Sequence, residues 1–301
     1  MTPTSRTRAL LGSIVPPLEF GALFVGAWEA LVRGFDLKPY FLPSPSSVAE
    51  AFVDGRAQVW EAVRVSGTNA LIGLVAGVLL GVAFSFLLMR FDLLNELASP
   101  LAVALNAVPI VVIVSIFQNW YPSTSEMPRR LVVAVVVYFI VLVNVSKGLR
   151  GVHGTHLELL RSLAAPPRAV LTKARIPNAV PFLFTALKIA APTSVITAFV
   201  AEYFGGRQNG LGFFISSNFS NSKTATAWAY VVGACALGLA FYLVSREIGI
   251  NTNVSPANLA AAWWTVPILL LRAAMNGILE EVIMIGYLFT RWTQRGGGVV
   301  A

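Results

Sequence analysis

The chain has 301 residues, of which 56% are apolar and only 12% charged, with a mean hydropathy of +0.72. A soluble globular chain carries about 25% charged residues because water-facing surface needs polar groups. This balance therefore excludes a soluble enzyme, a disordered chain and a nucleic-acid module. The 22 Lys and Arg outnumber the 14 Asp and Glu, and in so apolar a chain the excess reads as a signal for membrane orientation, with no nucleic-acid partner. Cys235 is the single cysteine, which leaves no internal disulfide and no multi-thiolate metal site. In its apolar run it is expected to be a small buried hydrophobe.

In chain order, Arg6 and Arg8 precede an apolar stretch with the outline of a signal peptide. Pro16, Pro17 and Glu19 interrupt it and no small-x-small site follows. It is read as a retained first membrane helix over residues 18–32, within an amino-terminal membrane helix and extracytoplasmic segment covering 1–60. A helix needs about 20 residues to cross a bilayer, so long uncharged runs mark the other spans. They lie between Arg64 and Arg90, Glu96 and Glu126, Arg130 and Lys147, and Lys223 and Arg246. A further span is expected over 180–204, where Lys188 can reach the headgroups along its own stem. The fold class is all-α: a polytopic membrane helix bundle of six spans, with its body at residues 61–250.

Lys147, Arg150, Arg161, Arg168, Lys173, Arg175 and Lys188 stand against a lone Glu158 in one loop. Positive charge concentrated beside membrane ends marks the cytoplasmic side, so this loop and the amino terminus are expected there, in a cell inner or plasma membrane. His153 and His156, the only histidines, have no carboxylate pair nearby and no metal site is expected. Residues 156–165 read as a short amphipathic helix with Leu157, Leu160, Leu163 and Ala164 along one stripe. Pro166 and Pro167 stop it, and a second helical stretch starting at Pro167 is expected to stop before Pro177. An apolar stripe outside the membrane needs a covering surface, either a partner protein or anionic membrane lipid.

The loop at 150–178 resembles the EAA loop of ABC importer permeases. Glu158 stands at the Glu position, Leu159 and Leu160 at the two Ala positions, and Ala164 at the Gly position. Ala174-Arg175-Ile176-Pro177 stands at the closing Ile-x-Leu-Pro. The resemblance extends through Trp28-Glu29, Phe41-Leu42-Pro43-Ser44-Pro45, Asn106-Ala107-Val108-Pro109 and the run from Ala201 to Gly206 with Gly210-Leu211-Gly212. These look like the nitrate/sulfonate/taurine-type branch, and the last run looks most like permeases for pyrimidine thiamine precursors or riboflavin. The resemblance implies a permease subunit, not an enzyme, working by alternating access. It implies a separate ABC ATPase that binds the ATP (no cofactor of this chain's own), an extracytoplasmic substrate-binding protein and a permease homodimer. It also implies that Leu157, Glu158, Leu159, Leu160, Ser162, Ala164, Ala165, Ile176 and Pro177 form the ATPase-coupling surface. Polar residues within spans are candidates for the substrate pathway, namely Asn106, Asn144 and Glu202. The glycines at 205, 206, 210 and 212 are expected to turn a re-entrant loop.

After residue 246 the permease pattern stops. A polar linker from Asn251 to Asn258 leads to an apolar stretch, 259–290, expected to add a membrane helix. The segment from Asn276 to Leu288, with paired Glu280 and Glu281, resembles the first motif of CAAX-protease and bacteriocin-processing intramembrane proteases. Ile285 stands where that motif has Arg, and the further histidine motifs are lacking. Residues 251–301 are read as an appended fragment of such a protein, with proteolysis as the alternative function.

Overall fold

The computed structural model describes residues 3–91, 96 and 108–247, and among them every regular element is helical. In order these are α1 (Pro3–Gly34), α2 (Pro45–Asp54), α3 (Arg56–Arg90), α4 (Ile110–Trp120), α5 (Met127–Arg150), α6 (Gly154–Ser162), α7 (Pro167–Val170), a π-helical turn (Leu171–Arg175), α8 (Ile176–Tyr203), α9 (Leu211–Ser220) and α10 (Thr224–Glu247). Four helical stretches are long and apolar enough to cross a membrane: Arg56–Arg90, Met127–Arg150, Pro167–Tyr203 and Thr224–Glu247.

The centre of the bundle is the contact of α3 with α5. Gly73, Gly77 and Gly81 recur every four residues on α3 and face Val133, Val137 and Val141 of α5. A Cβ on Gly77 would lie 2.6 Å from the Ala134 carbonyl oxygen, so the two backbones approach as only small residues allow. Ala186, Ala190 and Ala198 of α8 close the same core. Leu71, Leu79, Ile196 and Leu239 point outward and stay exposed, as befits helices whose outer solvent is hydrocarbon.

α3 and α5 run parallel, because matching residues rise together along both. One end of the bundle, here the loop end, carries residues 88–91 and 148–178; Arg150 donates to the Leu88 carbonyl there. The distal end carries the starts of α3, α5 and α10 and the finish of α8. α4 packs near the distal end, where Val114 meets Val132 of α5 and Ala201 of α8.

Several expectations need correction. α1 passes through Pro16 and Pro17 and does not start at 18; proline removes a ladder bond but keeps a helical φ. α2 was not foreseen, although its signals are local: Ser44 caps it, Pro45 sits in its first turn, and Glu29 of α1 accepts from the Ser46 amide at 3.0 Å and its hydroxyl at 2.8 Å. The helix from Pro167 does not stop before Pro177. The π turn at 171–175 includes Lys173, four residues back from Pro177, whose carbonyl a proline would otherwise crowd. α8 accordingly starts at Ile176, four residues before the expected 180, and the helical path runs on unbroken from Pro167. Cys235 is exposed, not buried, because it lines an open apolar cavity with Val195, Ile196 and Phe199 of α8. Asn106, the linker and the whole 251–301 tail lie outside the described residues.

Candidate functional site

Two groups of residues stand out, one at each end of the bundle. At the loop end, α6 buries none of its residues. Leu157 and Leu160 are half-covered, while Leu159 and Leu163 are 58% and 69% exposed. Glu158 and Ser162 are exposed, and Ser162 spends its hydroxyl on the Leu159 carbonyl at 2.8 Å. The helix ends in a Schellman arrangement: Ala165 N–H donates to the Leu160 carbonyl and Ala164 N–H to the Arg161 carbonyl, both at 2.9 Å. Ala164 takes φ +49° there, a left-handed conformation that normally calls for glycine. The Gly position of the motif is thus filled by an alanine in a glycine conformation. Ile176 and Pro177 open α8 on the exposed side. A cleft of about 280 Å³ separates α6 from the start of α8, lined by His156, Leu159, Leu160, Lys173 and Asn178 among others. Asn178 ties α8 to α5 by donating to the Gly148 carbonyl at 2.7 Å.

His153 precedes α6 and His156 lies within it, with ring centroids 6.1 Å apart. Among the described residues no group of His, Cys, Asp and Glu could hold a metal ion.

The distal end carries a buried polar cluster. Glu202, at the end of α8, is fully buried. It accepts from the Ser66 hydroxyl at 2.6 Å and from the Gly212 amide at 3.2 Å, while Ser66 in turn accepts from the Leu211 amide at 2.9 Å. One carboxylate and one hydroxyl thus satisfy the first amides of α9, where an anion suits the helix dipole. Gly210 is required by this packing, since a Cβ there would lie 2.2 Å from the Glu202 carboxyl carbon. Gly205 and Gly206 turn the intervening loop at φ +138° and +90°.

Beside it, Arg129 is only 1% exposed. It donates to Glu126 at 3.0 Å, to the Asn209 side-chain oxygen at 2.7 Å and to the Arg207 carbonyl. Glu126 also accepts from Asn209 at 2.6 Å and from Asn69 at 2.9 Å. Burial alone would raise the Glu126 carboxyl, but the hydrogen bonds from Asn209 and Asn69 and the charges of Arg129 and Arg207 together hold it below its ordinary value. Charges this deep persist only when paired and hydrogen-bonded.

Of the candidate pathway residues, the two that are described, Asn144 and Glu202, do not converge. Asn144 sits in the loop-end half of α5 and donates to the Ile140 carbonyl of its own helix at 2.8 Å, far from Glu202. The sequence reading singled out Glu202 and missed its neighbours Ser66, Asn69, Glu126 and Arg129. The signal available was polar identity at span ends: Ser66 and Asn69 begin the run after Arg64, and Glu126 and Arg129 begin the run before Lys147.

Residues 73–249 match the family described as binding-protein-dependent transport system inner membrane component. The formylaminopyrimidine transport permease protein ThiX of Halalkalibacterium halodurans is 29% identical over 204 residues, covering 67% of this chain and 80% of that protein. The taurine transport system permease protein TauC of Escherichia coli is 23% identical, covering 65% and 73%. The nitrate import permease protein NrtB of Leptolyngbya laminosa is 24% identical, covering 82% and 94%. Among solved structures, a chain of the MetNI methionine ABC transporter in inward-facing conformations shares the fold. Its TM-score is 0.50 at 17% identity, covering 64% of this chain and 94% of that one.

Proposed function

The chain belongs to the family of binding-protein-dependent transport system inner membrane components, permease subunits of ABC importers, and on that premise we propose that α6 is the handle by which a separate ATPase drives it. It is a multi-pass membrane protein and a transport component, not an enzyme. In this reading the loop end faces the cytoplasm with the amino terminus, and the distal end faces an extracytoplasmic binding protein. Two copies form the permease pair, and closure of two ATPases draws their α6 helices together and rocks the spans between inward- and outward-open arrangements.

The carrying observation is that α6 presents Leu159 and Leu163 uncovered between two rigid anchors. One anchor is α5, whose helix ends only at Arg150; the other is α8, held to Gly148 through Asn178. Exposed leucines beside Arg161 and Glu158 fit a groove on a protein surface. Leu157, Leu160 and Ala165 are half-covered, and Ile176 and Pro177 are exposed as Leu159 and Leu163 are. Asn106 and Asn144 remain proposed contacts of the pathway, and Glu202 is proposed to act on it through its hold on α9.

For the solute, we propose a pyrimidine-type thiamine precursor, supported by the similarity to ThiX across 80% of that protein. The test of the coupling role is co-purification with the partner ATPase after Leu159→Asp with Leu163→Asp. The reading expects intact permease and lost ATPase; retained ATPase and retained transport would remove α6 from the role.

A further inference from the structure

At the distal end a cavity of about 450 Å³ opens beside the buried cluster, lined by Arg64, Asn69, Glu126, Arg130, Arg207 and Asn209 among others. We propose that this cavity binds a small oxyanion, a carboxylate or sulfonate monoanion, separately from the coupling surface and from the choice of transported solute.

The argument rests on how the charges are already spent. Four guanidiniums gather here (Arg64, Arg129, Arg130 and Arg207) against the carboxylates of Glu61, Glu126 and Glu202, leaving one positive charge in excess. Glu126 cannot absorb it. One of its oxygens accepts from Asn69 and Arg129, and the other accepts from Asn209 and faces Arg207 at 3.6 Å. Glu61 is matched by Arg64 at 3.1 Å. Glu202 lies behind the wall formed by Ser66 and the 210–212 backbone.

Arg130 is left over. Its Nε donates to the Asn69 side-chain oxygen at 3.0 Å, and Asn69 is itself buried and fixed by Glu126. That bond holds the edge of the guanidinium and fixes its plane. Both terminal nitrogens are without a hydrogen-bond partner among the described residues, and Arg130 lines the cavity. A guanidinium held on one edge and open on its fork suits a planar or tetrahedral oxyanion, which can accept two parallel bonds. Arg207, 52% exposed in its side chain and only distantly paired, faces the same space and can close on the ligand from the other side. A spherical halide offers no such bidentate match.

The experiment uses the full-length permease purified alone in detergent, so neither the ATPase nor a binding protein enters the readout. Sodium acetate and sodium methanesulfonate are titrated at an ionic strength held constant with sodium chloride, and binding is followed by calorimetry and by thermal unfolding. The expected result is a saturable response to at least one oxyanion beyond that to chloride. Arg130→Gln should weaken it by about tenfold or more, the loss of a charge-assisted bond, and Arg130→Lys by less. Lys223→Gln, at the same end but outside the cavity, should leave it unchanged. If Arg130→Gln does not fold, Arg207→Gln serves, because the Arg207 side chain is half-exposed and only distantly paired. No saturable response, or equal affinity in wild type and the arginine variants, overturns the proposal.

Discussion

The two ends of the bundle solve opposite problems. At the distal end, charges are sunk below the surface and most are hydrogen-bonded from within the chain, although Arg129 Nε and Glu202 Oε1 are buried without a hydrogen-bond partner among the described residues. Arg129, Glu126, Asn69, Asn209, Glu202 and Ser66 form one connected set. At the loop end, α6 buries nothing and leaves two leucines in the open. A densely hydrogen-bonded buried cluster serves fold stability, whereas exposed leucines on a helix held between fixed anchors suit the proposed docking of a partner. Substitutions at the first end should unfold the permease, and substitutions at the second should only separate it from its partner.

The largest effect is expected from Arg129→Leu, which strands Glu126 and frees the 207–209 loop. Breaking one side of a buried pair costs about 3–5 kcal/mol, seen as loss of monodisperse protein and a large fall in thermal unfolding temperature. Gly210→Ala comes next. Its Cβ would meet the Glu202 carboxyl carbon at 2.2 Å, and overpacking of this kind costs about 1–3 kcal/mol.

At the loop end the sign reverses for Ala164→Gly. Relieving a left-handed alanine should gain about 1 kcal/mol, read as slower amide hydrogen exchange over 157–165, with ATPase binding retained. A pH effect of modest size comes from Glu126, whose carboxyl is held below its ordinary value when folded. Its contribution is fully present above the ordinary carboxylate pKa and is lost as pH falls through the lowered folded value. Acid unfolding of Glu126→Gln should therefore be shallower in that range than that of the wild type. Smallest of all, Leu159→Asp with Leu163→Asp should shift permease stability by no more than about 0.5 kcal/mol. A stability loss as large as that of Arg129→Leu would erase the contrast between the two ends.

The spans were legible because apolar length is a property of sequence alone. Three uncharged runs and the disguised one around Lys188 correspond to α3, α5, α10 and α8, while the run between Glu96 and Glu126 shows only the shorter α4 among the described residues. Helix α6 was legible from the prolines that follow it, but its leucines do not share one stripe: Leu157 and Leu160 are half-covered and Leu163 is exposed. What was not legible depended on tertiary proximity. Glu29 answers the Ser46 amide of α2 across 17 positions, and no local rule pairs those residues. The glycines at 73, 77 and 81 were visible as a four-residue repeat, but only contact with Val133, Val137 and Val141 shows which helix they admit. Asn69, Glu126 and Arg129 each resemble an ordinary span-end polar residue until the fold brings them together. Pro177 was read as a stop because a π turn that makes room for it has no sequence signature.

The most direct test of the account replaces Leu159 by cysteine in a Cys235→Ser background, so that position 159 carries the only thiol, and attaches a photo-crosslinker there. With the partner ATPase present in native membranes, the account predicts a permease–ATPase adduct that grows when ATP closes the ATPase dimer. Labelling of position 159 from the extracytoplasmic side, with no adduct to the ATPase, would contradict it.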